Sequence, residues 1–411
     1  MNLDKILEFG LKKGASDLHL RVNAPPMLRL QGKLQPIANI PALNIEQLNT
    51  LLDQCLSPQQ KETLAVRHEI DLAYAIPGKS RFRVNIFYQR GSLAAAFRII
   101  AANIRNLKEL QLPASVQTIA EEQRGLVLVT GATGSGKSST LAAILDYINE
   151  PRQCHILTIE DPIEYVFKDK NSHINQRELG LDSTSYADAL RAALRQDPDV
   201  IFVGEMRDRD SINMALMAAE TGHLVLSTLH TVDATETINR IISTFDMHEQ
   251  EQIRAMLGSV LRGVISQRML KRSDGNERIV AVEILRNTKQ IQSLIRDPQR
   301  THEISEAIAK GHVSYGMQTF DQSLMKLLKG HIISHDEAVK NATKPDNFNL
   351  RLGGISSLSD GDWGDFDLSQ GNGVVAGASS TPSLDTTNDE FDLDSASDRP
   401  RPAGKRQFER F

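Results

Sequence analysis

Apolar and polar positions alternate at Leu28 and Leu30 and again at Val84 and Ile86, which predicts half-buried strands over Met27–Leu30 and Arg81–Tyr88. A further strand is expected over Asp17–Val22 and a helix over Leu3–Lys13, so residues 1–100 read as a small mixed α+β domain. Ala101–Glu122 reads as a polar connection containing Pro113. Beyond it, Leu126–Thr130 is a short apolar run of the kind that forms a parallel strand buried on both faces. Leu141, Ile144, Leu145 and Ile148 then have helical spacing, which predicts a helix over Ser138–Ile148. Three more strand-like runs follow at Ile156–Ile159, Val200–Val203 and Leu224–Ser227. Strands alternating with helices over 123–232 predict an α/β sheet with crossover connections. From Ala234 to Ala342 the spacing becomes helical, with Ile253, Leu257, Val260, Leu261, Val264 and Ile265 three to four apart. Residues 233–352 are therefore expected to form a helical appendage to the sheet. Residues 353–411 shift to Gly, Ser, Asp and Thr, with acidic clusters at Asp360–Asp367 and Asp389–Asp394 and a basic end at Arg399–Arg410. That composition predicts a disordered acidic tail, in which Trp363, Phe366, Phe391, Phe408 and Phe411 are either a docking segment or incidental aromatics.

Composition narrows the function classes. At ~100 to 200 residues per domain, 411 residues imply two folded domains plus the tail. The 47 basic and 52 acidic side chains leave a net charge of −5, which gives no global drive toward nucleic acid or anionic membrane. A DNA-translocating role is disfavoured on the same ground, since no basic-aromatic stripe accompanies it. Cys55 and Cys154 are the only cysteines, too few for a disulfide framework or a four-thiolate zinc site within one chain. No stretch reaches the ~18 consecutive apolar residues of a membrane span, and Asp4, Lys5, Glu8, Lys12 and Lys13 interrupt the start as they would not in a signal peptide. A cytoplasmic protein without direct membrane insertion is expected.

The glycine-rich loop carries the clearest chemistry. Gly131, Ala132, Thr133, Gly134, Ser135, Gly136, Lys137 and Ser138, followed by Ser139, lie between a predicted strand and a predicted helix. Glycines there allow backbone N–H groups to approach phosphate oxygens closely, Lys137 neutralises β and γ charge, and the Ser138 hydroxyl completes Mg²⁺ coordination. ATP and Mg²⁺ are the expected ligands. Val200–Val203 runs through Gly204 into Glu205, a carboxylate placed to hold a Mg²⁺-bound water; the alternative for Glu205–Asp208 is a helix cap. Glu160, Asp161 and Glu164 follow another strand, and Glu164 is the expected base for the attacking water. His230, at the C-terminal end of the Leu224 strand, is expected to sense the γ-phosphate, while His223 sits at the opposite end. Arg83, Arg98, Arg191 and Arg195 are candidate phosphate contacts against a default of surface ion pairing.

Taken together, these blocks resemble the secretion ATPase superfamily and, within it, the type IV pilus retraction ATPases of the PilT/PilU group. The resemblance covers residues 1 to about 350 and is carried by Gly14–Leu20, Arg81–Asn85, Gly131–Ser138, Thr158–Glu164, Ala193–Asp199 with Gly204–Asp208, Thr221–Thr231 and Gly316–Asp321. It implies a PAS-like N-terminal α+β domain on a RecA-like P-loop ATPase domain with a helical C-terminal appendage. It further implies a homo-hexamer, Glu164 as catalytic glutamate, Glu205 as the Walker B acid, and Arg83, Arg98, Arg191 and Arg195 as pocket arginines. The partners it implies are an inner-membrane pilus platform protein resembling PilC and a sister retraction ATPase, at the cytoplasmic face of the inner membrane. Extension ATPases of the superfamily generally carry a four-cysteine zinc element that this chain cannot form, which favours retraction. The segment Gln290–Asp297 matches the retraction motif of PilT only in part, with Gln292 in place of its first arginine. Phe87–Arg90, Phe320–Leu324, Asn349–Leu352 and the long tail are closer to PilU, and Glu205–Arg207 and Gln196–Pro198 to PilT. The balance leans to a PilU-like accessory motor. The alternatives are the principal retraction motor and a non-enzymatic, nucleotide-gated coupling module.

Overall fold

The computed structural model describes residues 1–100, 104–275 and 278–353. The segment read as a tail therefore lies outside the described residues apart from Gly353. The N-terminal sheet contains β1 (Asp17–Arg21), β2 (Met27–Leu30), β3 (Lys33–Pro36), β4 (Glu69–Ile76), β5 (Ser80–Gln89) and β6 (Ser92–Ile99). Its order is β3-β2-β1-β6-β5-β4, antiparallel throughout. Period-two alternation sends Leu18, Leu20, Phe82, Val84, Ile86 and Phe97 to one buried face. The helices Leu3–Lys12, Ile45–Leu52 and Pro58–Arg67 bury Leu3, Leu7, Leu48, Leu51 and Leu64 in the same core. Capping boxes at Asn44/Gln47 and Ser57/Gln60 set the starts of the second and third helices. The sequence pattern locates the first helix and β1, β2 and β5 to within a residue. It misses β3, β4 and β6, the last because Ala94, Ala95 and Ala96 interrupt any apolar alternation.

The second sheet comprises β7 (Gly125–Gly131), β8 (His155–Glu160), β9 (His173–Glu178), β10 (Val200–Val203), β11 (Leu224–Leu229), β12 (Leu261–Lys271) and β13 (Arg278–Arg286). The order is β13-β12-β7-β11-β10-β8-β9, parallel except for the β12–β13 pair. β7, β10 and β11 are buried along their whole length, which is why they read as continuous apolar runs. Alternate residues of β7 feed opposite cores. Leu126 and Leu128 pack on the side of helix Arg209–Glu220, whereas Val127 and Val129 pack under helix Lys137–Asn149.

Two expectations are corrected. The region from Ala234 is not wholly helical, because helix Gln250–Val260 ends where β12 begins, and β12 and β13 extend the sheet beside β7. Val260, Leu261, Val264 and Ile265 are buried, and a run apolar on every side fits three-to-four spacing and a two-faced strand equally well. Pairing with β7 decides for the strand, and Gly263 permits it: a Cβ there would lie 2.9 Å from Ile119 Cδ1. The second correction concerns that same Ile119. The segment read as a polar connection contains helix Ala114–Ala120, with Val116, Ile119 and Ala120 buried under the sheet. True helices follow β13 at Lys289–Arg296, Ile304–Lys310, Phe320–Lys329, His335–Asn341 and Pro345–Leu352. No helix among the described residues is long and apolar enough to cross a membrane.

Glu283, on β13, is fully buried and accepts the backbone N–H of Ala234 at 2.8 Å, holding the start of helix Ala234–Ser243 four residues after His230. Burial pushes its pKa from 4.5 up to about 7; Asp233 and Asp321 add to the rise, while the Ala234 bond and Arg268 oppose it. The folded form therefore holds a proton that the unfolded chain has released between pH 4.5 and 7, so stability falls as pH rises through that window and is level above it. Glu283→Gln is expected to raise the thermal midpoint at pH 8 but not at pH 5, by at most roughly 3 kcal/mol of stability. Melting the nucleotide-free protein at both pH values checks it.

Candidate nucleotide site

β7 ends on Gly131 and the next helix begins at Lys137, with Gly136 in the left-handed region at its N-cap. Gly131 has φ +142° and no room for a side chain, since a Cβ would lie 2.5 Å from both the Gln267 carbonyl oxygen and Ser135 Oγ. The loop therefore presents bare backbone to the helix N-terminus, the arrangement that binds phosphate. Lys137 is 8% exposed, and its Nζ donates to the carbonyls of Gly131 at 2.9 Å and Ala132 at 3.1 Å. Burial lowers its pKa while Glu205 and Glu164 pull it back up. Ser135 Oγ is buried in the loop without a hydrogen-bond partner, as suits a cradle built to take an anion.

A cavity of about 500 Å³ opens beside the loop at the C-terminal ends of the parallel strands. It is lined by Thr133, Gly134, Lys137 and Ser138 from the loop, Glu160, Asp161 and Glu164 from the end of β8, Glu205 and Arg207 beyond β10, and His230 beyond β11. The three glutamates differ in surroundings. Glu160 is buried, which pushes its pKa up to about 7, although Thr158 Oγ1 at 2.6 Å and Gln176 Nε2 at 3.1 Å favour its charged form. Its other oxygen accepts the Glu164 N–H at 3.4 Å, so it holds the turn that carries Glu164. Glu164 itself is exposed to the cavity. Glu205 accepts Arg207 Nε at 2.7 Å and stands 3.5 Å from His230 Nε2. Asp208 caps helix Arg209–Glu220, so the segment after β10 supplies both a cavity acid and a helix start. Ser138 and Glu205 line one cavity and offer the hard oxygen donors that Mg²⁺ prefers.

The arginines divide. Arg83, on β5, lines the cavity. Arg98 sits opposite Arg83 on β6 but is held by Asp17 at 3.0 Å and does not line it. Arg191 pairs with Asp188 at 2.8 Å on the exposed side of helix Tyr186–Ala193, and Arg195 is exposed beyond that helix; neither lines the cavity in this chain. Arg207 does, in a motif for which a helix cap is the alternative reading. His223 bonds the Ala218 carbonyl at 2.9 Å at the far end of β11.

A second cavity of about 560 Å³ lies on the other side of the loop, against Gly136, Ser139 and Thr140. Leu110, Leu112, Met269 and Val280 give it apolar walls. A pocket of this kind next to a phosphate cradle suits a nucleoside. Its walls come from the segment read as a connection and from the unanticipated β12 and β13, so nothing in the sequence pattern marks them.

A family model described as Type II/IV secretion system protein matches residues 2–315. The chain is 44% identical over 348 residues to the type IV pilus retraction ATPase PilT of Pseudomonas aeruginosa, covering 85% of this chain and 100% of that protein. It is 38% identical over 362 residues to the type IV pilus ATPase PilU of the same organism, covering 88% and 94%. Among solved structures, the pilus retraction motor PilT with bound ADP matches with a TM-score of 0.78 at 44% identity, covering 84% of this chain and 98% of that one. The ATPase DotB of Legionella pneumophila matches with a TM-score of 0.72 at 28% identity, covering 86% and 96%. The phosphate loop, the acids at the strand ends and the sheet order all lie inside the matched region, and the chain accordingly belongs to the type II/IV secretion system protein family as a RecA-like ATPase of its PilT/PilU group.

Proposed function

We propose that this chain is a subunit of a hexameric motor that couples MgATP hydrolysis to type IV pilus retraction and twitching motility. The observation that carries this is the match over the whole length of PilT together with a cavity in which loop, acids and histidine converge. In this reading the loop backbone and Lys137 bind the phosphates and the apolar cavity takes the nucleoside. Ser138 and Glu205 would hold Mg²⁺, which would neutralise charge developing on the phosphates. Glu164 faces the attacking water as general base, His230 reports on the γ-phosphate through its contact with Glu205, and Arg83 faces the transferred group. Arg98, Arg191 and Arg195 would contribute only by way of a neighbouring subunit. An inner-membrane platform protein resembling PilC and a sister retraction ATPase are the proposed partners, at the cytoplasmic side of that membrane.

One helix bears on the rank of the subunit in the motor. Gln292, where the PilT motif has arginine, lies on helix Lys289–Arg296 with its side chain against Gly258, which supports the accessory, PilU-like role. The higher identity to PilT, 44% against 38%, favours the second reading, a principal motor. Retraction scored in a deletion strain with and without the sister ATPase separates them: an accessory subunit supports no retraction alone, and a principal motor does.

Lys137→Ala is expected to abolish nucleotide binding, measured with a fluorescent ATP analogue. Glu164→Gln is expected to keep that binding while kcat falls about 10²- to 10⁴-fold. Normal turnover in both variants would remove the hydrolytic reading. Arg83→Ala is expected to lower kcat at least about tenfold, with a smaller change in ADP affinity than in ATP affinity; equal loss for both nucleotides would make Arg83 a general phosphate contact only.

A further inference from the structure

β5 sorts its side chains by parity. Phe82, Val84 and Ile86 enter the N-terminal core, so Arg81 and Arg83 project together from the opposite face, two residues apart. Arg83 lines the catalytic cavity. Arg81 crosses to the ATPase sheet, where its Nη2 lies 2.7 Å from Glu178 Oε2. That same oxygen accepts the backbone N–H of Ile163 at 3.2 Å. Ile163 is buried and directly precedes Glu164.

Glu178 is itself firmly placed. It ends β9 in register with Glu160, its N–H donates to Asp182 Oδ2 at 2.8 Å, and its side chain is only 5% exposed. One carboxylate oxygen thus ties the strand that carries Arg83 to the backbone that carries Glu164. We propose that the Arg81–Glu178 pair is a positioning device, which sets Glu164 and Arg83 at their mutual distance across the cavity and so links the orientation of the N-terminal sheet to the rate of hydrolysis. A surface ion pair would have little effect. Here the carboxylate is buried, so losing the guanidinium leaves an unbalanced charge that draws Glu178 away from Ile163. The displacement is carried straight to the adjacent Glu164, and misplacing a reacting group by about 1 Å costs up to about 10²-fold in rate.

This inference rests on Glu164 acting in hydrolysis, and the test separates the two ideas. Full-length Arg81→Ala, Arg81→Lys, Glu178→Gln and Glu164→Gln proteins are compared by MgATP turnover, by binding of a fluorescent ATP analogue, and by thermal melting. The expectation is a loss of about tenfold or more in kcat for Arg81→Ala and Glu178→Gln, with analogue binding within about twofold of the parent. Arg81→Lys is expected to recover part of the loss, since an ammonium can still reach one carboxylate oxygen. Unchanged kcat in Arg81→Ala beside an inactive Glu164→Gln overturns the positioning role alone. Normal turnover in Glu164→Gln overturns the site reading and this proposal with it. A kcat loss that tracks the fall in melting temperature and is not recovered in Arg81→Lys also overturns it, because that is the mark of a merely structural contact. Arg81 is partly exposed, so its variants keep the test decisive should Glu178→Gln fail to fold.

Discussion

At Gly131 the chain has no space for a side chain, and the ATPase half holds its phosphate loop around that restriction. β12 presses its Gln267 carbonyl against Gly131, while Gln267 Nε2 bonds Thr140 Oγ1 at 2.7 Å on the following helix. The loop is thereby held from behind by a strand more than a hundred residues away in sequence. Held this way, its N–H groups and the helix N-terminus face outward, where anion binding requires no rearrangement of the sheet. β7 must be central for this to work, and it is flanked by β11 on one side and β12 on the other.

Charge around the loop is balanced by geometry. Lys137, Arg83 and Arg207 face Glu160, Asp161, Glu164 and Glu205 across one cavity. Glu205 is paired with Arg207, and burial favours the neutral form of Glu160, which leaves Glu164 as the glutamate turned to the open space, beside the exposed Asp161. Carboxylates of one residue type thus have three environments within one cavity, and environment separates their roles. Glu178 extends the pattern by one step, because it balances a charge from the N-terminal sheet and bonds the loop that carries Glu164.

Elements with a strong local signature were legible in the sequence. β10 coincides with its predicted bounds, and β7, β8 and the helix after the loop depart from theirs by a residue or two, because runs buried on both faces and regular 3.6-residue spacing both survive without knowledge of neighbours. The helix at 114–120 and strands β12 and β13 were not legible. The apolar residues of β12 satisfy either period, and only contact with β7 selects extended backbone. The second cavity was hidden as well, since its apolar walls come from Leu110 and Leu112 in the segment read as a connection and from β12 and β13.

What the sequence alone determined is the chemistry on offer: a glycine-rich loop with Lys137 and Ser138, acids after β8 and β10, and a histidine after β11. Those groups are specified by residue type and by position at strand ends, which local pattern encodes. The tertiary structure decided which candidates share a space. Arg83 reaches the cavity and Arg98 does not, although they sit opposite one another on adjacent strands, because Asp17 on β1 holds Arg98. Arg207 enters by pairing with Glu205, and Arg81 reaches Glu178 only because two sheets meet. Partner choice among like charges depends on distances of a few ångströms between distant segments, and no spacing within one segment encodes that.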